Sequence, residues 1–214
     1  MIGNDVVDLS DSRCWQKSKD SRFLNRVFSA RERALICEST TPDQTLWILW
    51  SGKEAAYKAL KRVIPKLVFA HSRFEVYPND GVVRYADFEL RTTWQVDETF
   101  VHAVATLGEH RYLSRVTSKA DVETRAENKQ WTEAEMAVVH SSESLLVRCL
   151  AKELLSDAGL QNGLILNKPP EYRPLGQNTA RSDVTISLSH DGDWVAAAVA
   201  LSDERVPSPS LFRI

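Results

Sequence analysis

The sequence predicts an α+β protein made of two similar halves, each with a helix packed on a small antiparallel sheet. Two helical patterns lie at 42–62 and 142–158, and strand patterns with turn signals follow each of them. In addition, the strand segment 100–107, Phe-Val-His-Ala-Val-Ala-Thr-Leu, resembles 194–201, Trp-Val-Ala-Ala-Ala-Val-Ala-Leu. Because both copies follow the same order of elements, we expect the two halves to be related by a pseudo-twofold axis.

The N-terminal segment predicts one strand and two helices. Residues 2–9 are typical of a short buried strand. The tetrapeptide 29–32, Ser-Ala-Arg-Glu, is a capping box that predicts a short helix through Ile36. Pro42 suits the first position of a second helix, whose apolar residues recur at helical spacing to about Arg62.

A strand-rich stretch follows the long helix. Residues 74–77 and 82–85 alternate around a Pro-Asn-Asp-Gly turn and predict a hairpin. Residues 88–93 and 100–107 predict two further strands. The next segment, 117–130, is polar and nearly free of large apolar residues, so we expect a surface connection there.

The second half repeats the helix signals of the first. A second capping box, Thr-Glu-Ala-Glu, occupies 132–135. The helix predicted at 142–158 carries an inward apolar stripe, and Gly159 is suited to end it in the left-handed conformation.

The C-terminal part predicts a loop-rich segment and a hairpin. Residues 164–182 contain few regular patterns. Residues 184–190 alternate, Asp191-Gly192 favours a tight turn, and 194–201 returns as a buried strand. The polar tail at 203–214 is expected to be loose.

Composition excludes several classes of protein. The 214 residues are 43% hydrophobic and 26% charged, which is typical of a globular domain and not of a disordered chain. No apolar run is long enough to span a membrane, and the net charge of −2 gives no general attraction to nucleic acid. Three widely spaced cysteines and the lack of a signal peptide predict reduced thiols and a cytoplasmic location.

The long predicted helix carries a polar stripe. Trp50, Glu54 and Lys58 are spaced four apart and therefore share one face. A Glu four residues before a Lys is also a common surface ion pair, worth about 0.2–0.5 kcal/mol. Gly52 weakens the helix by about 0.8–1.0 kcal/mol relative to Ala, which suggests that another chain segment or a ligand comes close there.

Asp5 is a carboxylate in an otherwise apolar strand. Burial without a partner would be costly, so Asp5 either caps a helix, pairs with an arginine, or shares a divalent cation with Glu54. Magnesium takes one or two carboxylates and completes its shell with water and phosphate oxygens. Two carboxylates near Lys58 would therefore suit a diphosphate.

His190 ends an alternating strand at the mouth of a hairpin. Ser187 and Ser189 form a polar strip that we expect to lead to it. A lone histidine in this position is often structural; the functional alternative is a hydrogen bond to phosphate.

Four segments together resemble the 4′-phosphopantetheinyl transferase superfamily. Residues 2–8 (Ile-Gly-Asn-Asp-Val-Val-Asp) are similar to its Gly-x-Asp strand, and 26–32 (Arg-Val-Phe-Ser-Ala-Arg-Glu) to its Arg-Val-Phe-Thr-x-x-Glu helix start. Residues 50–58 match Trp-x-x-Lys-Glu-Ala-x-x-Lys, and 186–190 match Ser-x-Ser-His. The turn 172–174, Tyr-Arg-Pro, is a looser match to the family's Gly-Lys/Arg-Pro.

The order of these motifs is that of the holo-acyl-carrier-protein synthase type, but the chain has the length of the two-half type. The resemblance implies that residues 1–112 form a metal-binding half and 113–214 a coenzyme-A-binding half, as one pseudo-symmetric unit with the site in the cleft between them. It also implies transfer of phosphopantetheine from coenzyme A to a serine of an apo acyl or peptidyl carrier protein, with release of 3′,5′-ADP.

The resemblance further implies the roles of the first-half residues. Asp5 and Glu54 would hold Mg²⁺, and Lys58 would stabilise charge on the phosphates. Glu54 or a magnesium-bound water would take the serine proton, so Asp5, Glu54 and Lys58 form the catalytic set. Lys53, in the same motif, is expected to contact coenzyme A.

The second half would bind the rest of coenzyme A. Ser189 and His190 would hydrogen-bond its phosphates, and Arg173 or Lys168 would grip the 3′-phosphate. Val7 stands where the long type often has an acid and Tyr172 where the family has glycine, which leaves open a degenerate relative that binds carrier protein or coenzyme A without transfer. A third hypothesis for the function is a magnesium-dependent phosphohydrolase.

The resemblance leaves the role of Asp8 open and also implies properties of the partner. Asp8 stands where the small type has glutamate, and whether it joins the metal is undecided. The partner is expected to be acidic and the protein a monomer. The basic residues expected to dock the partner are Lys17, Lys19, Arg22, Arg26, Lys61 and Arg62.

Overall fold

The computed structural model describes residues 1–202 and has an α+β architecture, as predicted; the tail prediction at 203–214 lies outside the described residues. The strands are β1 (Ile2–Asp8), β2 (Glu75–Tyr77), β3 (Val82–Tyr85), β4 (Phe88–Val96), β5 (Phe100–Thr106), β6 (Arg111–Ser118), β7 (Gly163–Leu166), β8 (Glu171–Pro174), β9 (Val184–Asp191) and β10 (Trp194–Leu201). The helices are α1 (Ser21–Val27), α2 (Ala30–Glu38), α3 (Pro42–Leu60), α4 (Lys119–Glu127), α5 (Glu133–Met136) and α6 (Ser142–Asp157).

The first sheet has five antiparallel strands in the order β1-β5-β4-β3-β2. Helix α3 packs across it, and its core-facing residues Leu46, Leu49 and Leu60 are fully buried. The predicted long helix, the hairpin of β2 and β3, and the strands β4 and β5 are confirmed. Because α3 lies against β1, its polar stripe can reach the side chains of that strand.

The second sheet has three antiparallel strands in the order β6-β10-β9 and packs against α6. The predicted hairpin of β9 and β10 is confirmed, and Gly159 has the left-handed φ of 80° expected after α6. The segment predicted to be loop-rich contains a short separate hairpin, β7–β8. This hairpin carries Lys168 in its turn and Arg173 in its second strand.

The surface connection expected at 117–130 is largely exposed, but most of it is regular secondary structure, which the sequence analysis did not predict. The end of β6 and the helix α4 occupy most of it, and the Ser118 hydroxyl caps α4 by accepting from the Asp121 N–H. Val122 and Ala126 are four residues apart and 0% and 1% exposed. One short apolar stripe is enough to fix this helix on α6, and a stripe of two residues is too brief to detect in a polar sequence.

Gly52 and Gly3 are required by close approaches between elements. A Cβ on Gly52 would lie 2.8 Å from the Trp94 ring, so the expectation that another chain segment approaches Gly52 is confirmed. A Cβ on Gly3 would lie 2.0 Å from the Ala55 carbonyl oxygen. The glycine in β1 therefore lets the strand lie directly on α3.

One buried network occurs in both halves. In the first, the capping-box Glu32 accepts from the Lys53 ammonium of α3 at 2.7 Å and from the Val76 N–H at 2.9 Å. In the second, the capping-box Glu135 pairs with Lys152 of α6 at 2.5 Å and accepts from the Ile165 N–H at 3.5 Å. Each network ties a capping glutamate, a long helix and the first strand of a hairpin.

The relation between the halves stays a prediction, as does the division at residue 112. Strand β6 spans that boundary and belongs to the second sheet. The three cysteines are unpaired, as expected. Among the described residues no helix has the length and apolar character needed to cross a membrane.

Candidate active site

A cavity of about 510 Å³ opens where β1, α3 and β9 meet. Side chains from both sheets line it, so it lies between the two halves of the chain. The lining residues used below are Asp5, Val7, Arg13, Trp47, Trp50, Glu54, Lys58, Lys168, Ser189, His190 and Asp191.

The polar stripe of α3 faces this cavity along its length. Trp50, Glu54 and Lys58 all line the cavity, as their spacing of four residues predicts. The Trp50 ring stacks on His71 and on Phe23, with centroids 4.6 and 5.7 Å away, respectively. Trp50 is therefore fixed by aromatic packing beside the carboxylate.

Asp5 meets Lys58 at the centre of the cavity. The Lys58 ammonium donates to Asp5 Oδ1 at 2.8 Å and to the Asn4 carbonyl at 3.0 Å. The Ser189 hydroxyl also donates to Asp5 Oδ1, at 3.0 Å. The first half and β9 thus converge on a single carboxylate oxygen.

A side-chain ladder joins β1 to β9. One edge of β1 pairs with β5, which leaves alternate N–H groups on the other edge without a strand partner. Ser187 Oγ, Ser189 Oγ and Asp191 Oδ2 accept from the N–H groups of residues 4, 6 and 8 at 2.8, 3.2 and 2.9 Å. The acceptors are two residues apart on β9, and the N–H groups are two residues apart on β1. These side chains therefore supply the hydrogen-bond acceptors that a neighbouring strand would otherwise provide.

This ladder changes the interpretation of the serine strip. The one hydroxyl hydrogen of Ser189 goes to Asp5, so in this structure the serine orients the carboxylate and has no hydrogen left for a phosphate. The strip also does not lead to His190, because successive strand residues alternate in direction and His190 lies on the opposite face from Ser189. His190 is exposed and lines the cavity from that side.

Glu54 has a strongly perturbed acidity. The pKa of its carboxyl is raised from 4.5 to about 7, mainly by burial, with a further contribution from the Asp5 carboxylate and opposition from Lys58. The pKa of His190 is lowered, chiefly by burial, so its ring is neutral at pH 7. The cavity therefore contains a carboxyl that exchanges a proton near neutral pH.

The free energy of unfolding should fall as the pH rises from about 4.5 to about 7, because of Glu54. Below pH 4.5 the carboxyl is protonated in both folded and unfolded chains; between pH 4.5 and 7 the folded chain retains the proton and the unfolded chain loses it. Raising the pH from 5 to 8 should therefore cost the wild type about 2–3 kcal/mol of unfolding free energy relative to Glu54→Gln. Urea unfolding of both proteins at the two pH values measures this, and an unchanged difference would contradict the assignment.

The carboxylates fit a magnesium ion. Among the described residues, no hydrogen bond occupies Asp5 Oδ2 or the Glu54 carboxylate, and both side chains line the same cavity. No cluster of three His, Cys, Asp or Glu side chains suited to a metal occurs in residues 1–202. Two carboxylates are nevertheless a usual protein contribution to a magnesium site that also contains substrate phosphate.

Asp8 lies outside the cavity and has both oxygens occupied. Asp8 Oδ1 accepts from the Ser10 N–H at 2.9 Å, and Oδ2 accepts from the Asp193 N–H at 2.8 Å. Asp8 therefore fixes the turn between β9 and β10 against β1. Val7 lines the cavity but has no metal-binding atom.

Of the three lysine and arginine residues that were predicted to contact coenzyme A, one lines the cavity and two do not. Lys168 is exposed and lines the cavity, whereas Arg173 lies on β8 outside the lining. Lys53 does not reach the cavity: its ammonium is fully buried, bonded to Glu32 and to the Phe74 carbonyl. The prediction that Lys53 contacts coenzyme A is corrected, because consecutive helix residues point about 100° apart and only Glu54 faces the cavity.

The lining residues that the sequence analysis missed include Asp191, Trp47 and Arg13. Asp191 was interpreted only as a turn residue, although its position two residues after Ser189 places it on the same strand face. Trp47 lies three residues before Trp50, and its ring N–H donates to the Cys14 carbonyl at 3.1 Å. Arg13 follows β1 in an irregular segment and had no sequence signal.

Strand β6 of the second sheet carries a basic residue surrounded by acidic ones. Arg115 faces Ala197 on β10 as Asp5 faces Ala103 on β5. Arg115 pairs with Glu153 at 3.2 Å and with Asp157 at 2.9 Å. A guanidinium is thus surrounded by carboxylates there, whereas the first half leaves a carboxylate pair open to the cavity.

Comparison with known proteins gives consistent matches. A family model described as the 4′-phosphopantetheinyl transferase superfamily matches residues 1–112, just over half of the chain. Holo-[acyl-carrier-protein] synthases of Chlamydia caviae and Chlamydia pneumoniae are each 34% identical to this chain over 67 residues, and that of Chlamydia felis is 30% identical. These alignments cover 31% of this chain and 55% of each relative, so the chain spans about half the length of the curated relatives it matches.

Proposed function

Because the chain belongs to the 4′-phosphopantetheinyl transferase superfamily, we propose that it transfers 4′-phosphopantetheine from coenzyme A to a serine of an apo acyl or peptidyl carrier protein and releases 3′,5′-ADP. One observation carries the proposal. A single cavity contains Asp5, Glu54 and Lys58 on one side and the Ser189–His190 end of β9 on the other. This set suits attack by a hydroxyl on a diphosphate, which needs positioning and charge neutralisation above all.

Asp5 and Glu54 would hold Mg²⁺ through Asp5 Oδ2 and the Glu54 carboxylate. When bound there, magnesium supplies positive charge to the diphosphate oxygens. Ser189 and Lys58 keep Asp5 oriented through its other oxygen. Because these hydrogen bonds go to Oδ1, the Asp5 carboxylate is fixed in orientation and Oδ2 can bind the ion.

Lys58 and Glu54 would act directly on the reacting groups. The Lys58 ammonium is partly exposed to the cavity and would neutralise charge on the phosphate that is transferred. Glu54 would accept the proton of the carrier serine through its carboxylate. The exposed Lys168 would attract the 3′-phosphate of the nucleotide from the other side of the cavity.

The decisive assay is intact-mass spectrometry of apo carrier proteins after incubation with the chain, coenzyme A and Mg²⁺. The expected result is a mass gain of one phosphopantetheine, which is absent when the carrier serine is replaced by alanine. Calorimetric binding of coenzyme A without any mass gain would favour a binding protein. Consumption of coenzyme A in the absence of carrier would favour a phosphohydrolase.

Helix α1 would dock the acidic carrier protein. Arg22 and Arg26 are exposed on it, while its buried Phe23 packs against the rings of Trp47 and Trp50 at the cavity. Lys17 is partly neutralised by Asp20 at 2.7 Å, and Lys61 is bonded to the Leu67 carbonyl at 2.7 Å. Arg62, also expected to dock the partner, donates instead to the Pro170 and Ile186 carbonyls. The expected docking surface is therefore reduced to the exposed basic residues Lys19, Arg22 and Arg26.

Charge reversal on α1 should weaken carrier binding. The double variant Arg22→Glu/Arg26→Glu should raise KM for the carrier about 10-fold at low salt, and the difference from wild type should shrink as salt is added. KM for coenzyme A should remain unchanged. Arg91→Glu, which changes an exposed arginine on β4, is the matched control; a salt-independent effect, or an equal effect of the control, would contradict docking on α1.

A further inference from the structure

Arg62 extends the polar stripe of α3 by one more turn. It follows Trp50, Glu54 and Lys58 at the same spacing of four residues, just beyond the last residue of the helix, Leu60. Its N–H still bonds back to the Ala59 carbonyl at 3.4 Å, so the helical path continues to it. Its side chain therefore points toward the second half of the chain.

The guanidinium of Arg62 connects the first half to two elements of the second. It donates to the Pro170 carbonyl at 3.2 Å and to the Ile186 carbonyl of β9. In residues 1–202 no carboxylate lies within ion-pair distance of it, and burial lowers its pKa to about 10, with Glu171 partly opposing this. The partly buried guanidinium donates charge-assisted hydrogen bonds to both carbonyl groups, which suits a role in holding them in place.

The Arg62 guanidinium links the hairpin β7–β8 to the first 112 residues. It forms its own two-stranded sheet, and Lys168 lies in the turn between its strands. Among the described residues, Arg62 donates the one hydrogen bond that residues 1–112 make to this hairpin. Pro170, which receives it, lies two residues after Lys168.

We propose that Arg62 is a positioning residue that holds the β7–β8 turn against α3 and thereby keeps the Lys168 ammonium at the cavity for the phosphate of coenzyme A. The inference rests on the proposed function for the identity of the ligand. Glu54 and Lys58 lie on α3 about two turns and one turn before Arg62, and Asp5 accepts hydrogen bonds from Lys58 and Ser189. Loss of Arg62 should therefore affect coenzyme A binding and spare the chemical step.

The first test separates binding from chemistry. In Arg62→Gln, KM for coenzyme A should rise about 5- to 10-fold, which is the loss expected from one or two hydrogen bonds, while kcat and KM for the carrier stay within about twofold. Lys61→Gln is the matched control, because Lys61 is adjacent in sequence but bonds only within the first half. An equal effect of the control, or a fall in kcat with unchanged KM, would overturn the proposal.

The second test asks whether Arg62 acts through Lys168. If it does, Arg62→Gln should add little to the effect of Lys168→Gln in a double-variant cycle on KM for coenzyme A. Additive effects of the two substitutions would overturn the proposal.

A third measurement does not depend on the reaction. Amide hydrogen exchange at 163–174 should be faster in Arg62→Gln than in wild type, with exchange in α3 unchanged. Unchanged exchange at 163–174 would overturn the positioning role even if transfer is observed. Faster exchange in a chain that neither binds coenzyme A nor transfers phosphopantetheine would instead overturn the proposed function and leave the Arg62 contact established.

Discussion

The Glu54→Gln variant is expected to fold like the wild type and to lose about 100- to 10,000-fold in the rate of phosphopantetheine transfer. Glutamine has nearly the same shape, so the packing of α3 on the first sheet is kept. It cannot accept a proton from the carrier serine and carries no charge for a magnesium ion, and a general base alone is worth about 100- to 10,000-fold. Single-turnover transfer measured by intact mass gives the loss directly.

Glu153→Gln is the control for this substitution. Glu153 follows Lys152 on α6 as Glu54 follows Lys53 on α3, but it is neutralised by Arg115 at 3.2 Å and Arg125 at 2.9 Å. Removing its charge should leave the transfer rate within about twofold of wild type. Full activity of Glu54→Gln, or an equal loss in Glu153→Gln, would contradict the role given to Glu54.

The Lys53→Met variant is expected to lose about 3–5 kcal/mol of unfolding free energy. Both Lys53 and Glu32 have fully buried side chains, with their charged atoms 2.7 Å apart. Methionine would fill the space of the lysine but leave the Glu32 carboxylate buried without its cation, which costs far more than the pair contributes. Denaturant unfolding at pH 7 measures the change.

Two further variants make this prediction specific. The double variant Glu32→Gln/Lys53→Met removes both charges and should recover part of the lost stability, because no unpaired charge remains. Lys152→Met, in the matching network of the second half, should cost less, since the Lys152 side chain is 14% exposed and the Lys53 side chain is fully buried. A double variant less stable than Lys53→Met would contradict the account of a stranded carboxylate.

Local sequence patterns predicted the parts of the fold that depend on helix periodicity and capping. The spacing of Trp50, Glu54 and Lys58 placed all three on one cavity wall because a helix repeats every 3.6 residues. Both capping boxes are present, with the reciprocal bonds expected for Ser29–Glu32 and Thr132–Glu135. Their second role, as acceptors for buried lysines, depends on contacts between distant segments and has no local signal.

The rest of the site depends on contacts over long sequence distances. Ser189 was expected to bind phosphate, but it supports the free edge of β1, 183 residues away, and orients Asp5. Lys53 was expected in the site because its motif neighbour Glu54 is there, but the adjacent helix position faces the core. The Ser189 outcome depends on how the two sheets pack together, whereas the Lys53 outcome depends on the contacts of α3 with Glu32 and Phe74 in the first half.

We propose that Asp5 and Glu54 hold one divalent ion between them in the cavity that β9 completes. Calorimetric titration of Mg²⁺ into the chain with coenzyme A present tests it most directly, with Asp5→Asn, Glu54→Gln and the control Glu153→Gln in parallel. We expect one Mg²⁺ ion to bind per wild-type chain. The affinity for Mg²⁺ should fall at least about 100-fold in Asp5→Asn and in Glu54→Gln and should not change in Glu153→Gln. Wild-type affinity in either Asp5→Asn or Glu54→Gln would contradict it.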